Sequence, residues 1–330
     1  MSSFTTCFMI AIVFMAAVIT AGCTAQNPSA IPVAQVSPTV TGTSAAEISA
    51  TPAETPNGTS PVPTAAHPLK ATPSVQTTVE IPAGSIAQYY PYTLNGKTGI
   101  IPLTLSTSVY NDYQKKAAPL SSGGNGSYFL SYINDPEQQP AIAALAAAIK
   151  GISADPSDQV RIAASLVQHI PYYDGQMHQY PYEVLYAGKG TSGEKSLLLA
   201  SLLNELGLGS AVFSFADENH LTAGISAPSP YDYNGTGYAL IETTEPTIIT
   251  DDSSIFPSGR LHSTPEVVVV GNGRSMSAVA LDYKDAIAWM NVKKNSDHLS
   301  DMQYRQWEAL DTKYDLSYYT CQKCKLPVTA

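Results

Sequence analysis

Tyr180-Pro-Tyr-Glu-Val-Leu-Tyr-Ala-Gly-Lys-Gly-Thr-Ser-Gly-Glu-Lys-Ser-Leu-Leu-Leu-Ala-Ser-Leu-Leu-Asn-Glu-Leu-Gly207 sets a glycine-framed turn directly before a long apolar run. The run from Ser192 to Leu206 predicts a helix with Ser192 at its start. The macrodipole stabilises negative charge at that end, so a nucleophile gains there. The frame Gly190-Thr-Ser-Gly193 lets the chain turn sharply and approach a substrate closely. A nucleophile also needs a base within hydrogen-bond reach and a third group to orient that base. His220 opens the second strand predicted after the helix, and Glu242 lies on the third. On an antiparallel sheet packed against the helix, both side chains can meet at its N-terminal end. Singly, each residue has a plainer reading. Serine is among the best helix N-caps, a histidine at a strand start is ordinary, and Glu242 could be a solvated strand residue or half of a salt bridge.

Between Cys23 and Cys321 the chain has no cysteine. Even so, an ordered set of pieces resembles the transglutaminase-like superfamily, which is related in its core to papain-type cysteine proteases. More narrowly it resembles exported transglutaminase-like proteins of archaea and bacteria. The pieces are Tyr180-Pro-Tyr-Glu-Val-Leu185, Gly190-Thr-Ser-Gly-Glu-Lys-Ser196, Leu197 to Gly207, Glu218-Asn-His-Leu-Thr-Ala-Gly224 and Gly237-Tyr-Ala-Leu-Ile-Glu-Thr-Thr244. Together they span roughly residues 155–250, and the set is specific where each piece alone is weak. The resemblance implies an α+β core with the nucleophile-bearing helix packed on an antiparallel sheet. It implies that His220 stands for the catalytic histidine, Glu242 for the acidic third member and Ser192 for the nucleophilic cysteine. The backbone N–H of Ser192 is the one candidate oxyanion donor. A thiol starts from a pKa of about 8.5 and can reach a standing thiolate beside an imidazolium, whereas an alcohol cannot. Serine works only where histidine removes its proton during attack, in geometry set for oxygen.

The chain has 330 residues, of which 44% are hydrophobic and 13% charged, and its formal net charge is −10. No basic cluster is present, which argues against nucleic acid as a partner, since neutralising phosphates needs a basic face. Phe8 to Ile19 is an apolar run of signal-peptide length, followed by Thr20-Ala-Gly-Cys23, which resembles a lipidation site at Cys23. No Lys or Arg precedes the run, and Thr20 sits where Leu or Val is commoner. Residues 24–77 are dominated by Ser, Thr, Pro and Ala and predict a disordered stalk. Export to the cell surface, with anchoring at the cytoplasmic membrane, is the expected localisation. Asn57, Asn125 and Asn234 open Asn-Gly-Ser/Thr sequons and are candidate glycan acceptors. Cys321 and Cys324 predict a small disulfide loop in an exported protein. No metal and no cofactor is expected.

Ordered structure is expected from residue 78, in three parts: 78–154 β-rich and helical, 155–255 the transglutaminase-like domain, and 256–330 a strand, helices and the Cys-x-x-Cys tail. Tyr89 to Leu94 and Ile100 to Leu105 flank Asn95-Gly96 and predict a hairpin. Tyr128 to Ile133 reads as a third strand. Pro140 to Ile149 reads as a helix apolar all round, stopped by Gly151. Asp155-Pro156 supplies an N-cap and a first helical proline for a helix to His169. Strands follow at 209–216, 220–226, 237–244 and 266–270, and helices at 279–294 and 299–313 with Trp289 and Trp307 as anchors. Strands gathered after helices indicate α+β. His169 and His178 read as polar surface residues, and Tyr231-Asp-Tyr233 as packing or surface aromatics. Three functions remain open. One is a catalytically inactive domain binding peptide, protein or surface polymer in the old cleft. The others are a serine-dependent amide hydrolase or acyltransferase and an envelope scaffold.

Overall fold

From Gly193 to Leu203 the helix that begins at Ser192 is buried on every side, and the remaining elements are arranged around it. The computed structural model describes residues 81–119, 125–254, 260–295 and 298–317. Strands β1 (Ser85–Leu94) and β2 (Lys97–Ser106) precede helices α1 (Thr107–Tyr113), α2 (Asn125–Ile133), α3 (Gln139–Ile152), α4 (Pro156–His169), α5 (Pro181–Ala187) and α6 (Ser192–Glu205). Strands β3 (Gly209–Phe215), β4 (His220–Ser226), β5 (Tyr238–Ile241) and β6 (Glu266–Asn272) follow, then helices α7 (Val279–Lys294) and α8 (Asp301–Tyr314). This is a mixed α+β protein with antiparallel sheets.

A helix apolar all round belongs in a core. Leu197, Leu198, Leu199, Leu202 and Leu203 of α6 are fully buried. Each such leucine stabilises by about 1.5–3 kcal/mol on burial. Around α6 pack α3, α4 and α5 on the helical side and β3 and β4 on the other. The sheet order is β5-β4-β3-β6. All seven residues of β3 are buried, as expected of an inner strand covered on both faces. Val212, Ala223, Ile225 and Ile241 join the α6 core, while Phe213, Phe215 and Leu240 form a second cluster. Register pairs His220 with Phe215, so alternation places His220 on that second face.

The hairpin forms around Asn95 and Gly96, both at positive φ (51° and 77°), as a two-residue turn with matching strand twist requires. It docks on α4 through Thr93 N–H donating to Ser165 Oγ (2.8 Å) and on α5 through Tyr90 Oη donating to the Leu185 carbonyl (2.6 Å). Asp155 caps α4 by accepting from Ser157 N (2.8 Å), with Pro156 at the first position.

Several expectations are corrected. Residues 128–133 belong to helix α2 and not to a strand. Phe129, Tyr132 and Ile133 bury one helical face, and Tyr128 meets Tyr132 edge-on at 5.2 Å, an i,i+4 neighbour. The apolar stripe of α3 is one-sided (Ile142, Leu145, Ala146, Ile149), and the helix runs through Gly151 to Ile152. His169 is buried: Nδ1 bonds the Ser165 carbonyl (2.6 Å) and Nε2 pairs with Asp315 Oδ2 (2.9 Å). Strand β5 ends at Ile241, before Glu242. Trp289 and Trp307 stack at 6.5 Å where α7 meets α8.

Candidate functional site

Helix α6 starts one residue earlier than its serine suggests. Thr191 is the N-cap: its Oγ1 accepts from Glu194 N (3.3 Å), while Glu194 Oε2 accepts from Thr191 N (2.9 Å). Ser192 is therefore the first helical residue, not the cap. This reciprocal box occupies the N–H groups of Thr191 and Glu194, and those of Ser192 and Gly193 are the remaining orphan donors at the positive helix end. The other oxygen of the buried Glu194 accepts from His178 N (2.9 Å) and Gln179 N (2.8 Å), tying the preceding loop to the helix start. His178 itself is exposed, as expected. The glycines act differently from the expectation. Neither Gly190 nor Gly193 has a positive φ. A Cβ on Gly193 would lie 2.7 Å from Met177 Sδ, and one on Gly190 would lie 3.2 Å from both Lys195 Cγ and Val184 Cγ1. They allow close packing around the helix start.

His220 and Glu242 are brought together. Nε2 of His220 lies 2.8 Å from Glu242 Oε2, and both side chains are buried. Glu242 Oε1 accepts from Thr243 N (2.8 Å), Thr244 N (2.7 Å) and Thr244 Oγ1 (2.7 Å). These bonds explain the early end of β5, because the side chain takes the N–H groups that would continue the ladder. Burial alone would raise the Glu242 pKa. The hydrogen bond and charge of His220, with the Thr244 donors, outweigh burial and hold it below the ordinary carboxylate value. A carboxylate facing Nε2 favours a proton on that nitrogen, which leaves Nδ1 as the atom that exchanges a proton with a nucleophile.

Lys195 and Gln168, which the sequence reading passed over, brace this pair. Lys195 is fully buried, and Nζ donates to the carbonyls of Ile170 (2.6 Å), Thr244 (3.2 Å) and Gln168 (3.3 Å). Burial pulls its pKa down to about 7, opposed by the charges of Glu242 and Glu245. The hydrogen bonds decide for the ammonium at neutral pH: three carbonyls need three N–H bonds, and a neutral amine has two. Gln168 Nε2 donates to the Glu242 carbonyl (2.8 Å) and the Thr247 carbonyl (3.2 Å). The two side chains bind the end of α4, the start of α6 and the exit of β5 into one unit.

Ser192 is half-buried and joins this unit through its backbone. Its carbonyl accepts from Thr243 Oγ1 (3.4 Å), which also shares a hydrogen bond with Ser196 Oγ (3.0 Å). Asn234 is exposed at a φ of 49°, and Asn125 opens α2. Cys23, Asn57, Cys321 and Cys324 lie outside the described residues. Among the described residues, no group of His, Cys, Asp and Glu is placed to hold a metal ion, and no helix is long and apolar enough to cross a membrane.

No family model and no curated protein matches this sequence. Two solved structures are similar. A crystal structure of a TGase is 19% identical with a TM-score of 0.25, over 49% of this chain and 45% of that one. The crystal structure of a "putative protease from Parabacteroides distasonis" is 15% identical with a TM-score of 0.25, over 49% of this chain and 40% of that one. The chain thus spans less than half the length of either structure, and the likeness is a distant one of fold.

Proposed function

We propose that this protein is a transglutaminase-like domain at the cell surface that binds a peptide or surface polymer without turning it over. The observation that supports this reading is the buried His220–Glu242 pair, hydrogen-bonded at 2.8 Å, in a chain with serine rather than cysteine at the first position of helix α6. An alcohol must give its proton to the base during attack, because no standing alkoxide forms at neutral pH. A thiolate can stand ready at a positive helix end. The dyad suits a sulfur nucleophile, which position 192 lacks. In this reading Cys23 carries the lipid, residues 24–77 are the spacer, glycans sit on the sequons, and the domain works outside the membrane.

The test is intact mass spectrometry of the full chain after a fluorophosphonate, on wild type and His220→Ala. The expected outcome is no adduct on Ser192 in either. A stoichiometric adduct in wild type, lost in His220→Ala, overturns the reading.

A second reading is favoured by how completely Glu242 is satisfied, with four hydrogen bonds to its carboxylate. In a serine-dependent amide hydrolase or acyltransferase, Ser192 Oγ attacks the carbonyl while His220 takes its proton. The N–H groups of Ser192 and Gly193 receive the oxyanion, and His220 returns the proton to the leaving amine. This reading requires Ser192→Ala to abolish turnover. An envelope scaffold requires that neither Ser192→Ala nor His220→Ala changes any binding.

A further inference from the structure

A second cleft, of about 390 Å³, lies where β5 meets the segment 229–235 and helix α7. That volume falls in the range of small-ligand sites, about 300–1,000 Å³. Tyr231, Tyr233, Tyr283, Asp232 and Asp252 line it, and no lining residue is basic. The aromatic walls are held from behind. Tyr233 packs edge-on against Phe213 (5.8 Å) and Phe215 (5.9 Å), and Tyr231 against Tyr283 (5.3 Å). Asp232 Oδ2 accepts from Gly237 N (2.9 Å), which fixes that carboxylate. The rings and the Asp232 carboxylate are therefore set in place before any ligand arrives.

Thr250 adds a separate observation. It sits at a φ of 78°, which a β-branched residue rarely adopts, held there by its N–H donating to the Leu240 carbonyl (2.8 Å). Among the described residues its Oγ1 is buried without a hydrogen-bond partner, and both Thr250 and Leu240 line the cleft. A strained backbone and an unsatisfied hydroxyl at one cleft are the kind of local conflict that marks a binding site. Asp252 reaches solvent, yet the cleft walls desolvate it and raise its pKa, and the Asp251 charge raises it further, against Arg260 and Lys293. The cleft thus carries negative charge that its own lining does not balance.

We infer that this cleft binds an organic ammonium group, that of a lysine side chain or of a free alkylamine. The ammonium sits between Asp232 and Asp252 and the methylenes lie against the tyrosine rings. Aromatic faces attract cations by their quadrupole, and carboxylates supply charge-assisted hydrogen bonds. A hard metal ion would want six or more oxygens, and among the described residues no group of His, Cys, Asp and Glu is placed to hold one. The inference does not depend on whether Ser192 is active.

The experiment is NMR titration of the full chain with four probes: Nα-acetyl-lysine N-methylamide, n-butylamine, the neutral Nα-acetyl-norleucine N-methylamide, and an N-acetylglucosamine oligomer. Asp252→Asn and Asp232→Asn are titrated alongside, with a calcium chloride arm. Both amines are expected to shift tyrosine ring signals saturably and to compete with each other. Each Asp→Asn change is expected to weaken binding at least ten-fold. Tighter binding of the lysine amide than of butylamine identifies a polypeptide lysine, and equal binding identifies a free amine. No saturable shift with either amine overturns the inference. So does equal binding of the norleucine amide, or a site taken by the saccharide or calcium instead.

Discussion

At Glu242 a buried carboxylate stays ionised because four donors, one of them on His220, outweigh its desolvation. The folded pKa lies below the unfolded value of 4.5, so its contribution to stability is present above pH 4.5 and lost as pH falls through the folded value. Urea midpoints at pH 7 and pH 3 are expected to show a smaller acid-induced loss in Glu242→Gln than in wild type. Lys195→Met leaves three carbonyls without their donor. It is expected to destabilise by about 3 kcal/mol and to lower Tm by about 6–12 °C, read by calorimetry. The pairing of His220 with Glu242 was legible because both sit at the end of a strand, where polar side chains stand out. Lys195 and Glu194 were not. Beside an apolar run, charged residues read as a solvated face, and only tertiary packing shows that this helix has none.

Among the elements, the α6 cap is the instructive case. Thr191-Ser-Gly-Glu194 is a capping-box pattern, and reading it would have placed Thr191, rather than Ser192, at the cap. Glu194→Ala removes that box together with the acceptor for His178 N and Gln179 N. The expected outcome is a loss of about 2 kcal/mol and faster hydrogen exchange at residues 178 and 179. Helix α7 docks through Arg161, whose guanidinium pairs with the fully buried Asp282 by two bonds (3.0 and 2.8 Å). Arg161→Met strands that carboxylate and is expected to destabilise by about 3–5 kcal/mol, with exchange rising first in α7 and α8. Helix α2 was misread because six residues rich in aromatics satisfy either period, and only the Tyr128–Tyr132 contact decides for the helix.

For the whole molecule, the α+β class was visible in the order of elements, helices first and a run of strands after. The two-residue turn at Asn95-Gly96 and the cap at Asp155-Pro156 were visible because their chemistry is local. What was hidden is long-range: the clamp by Lys195, the burial of His169 against Asp315, and the tyrosine-lined cleft on the outer face of the sheet. We propose a dyad suited to sulfur with a serine in the sulfur's place. Its most direct test is the pH dependence of iodoacetamide alkylation at position 192 in the Ser192→Cys full chain, localised by peptide mapping, with and without His220→Ala. Fast alkylation that persists well below the free-thiol pKa of about 8.5 and is lost in the His220→Ala background is the expected result. An alkylation profile unchanged by His220→Ala, following an ordinary thiol, would contradict it.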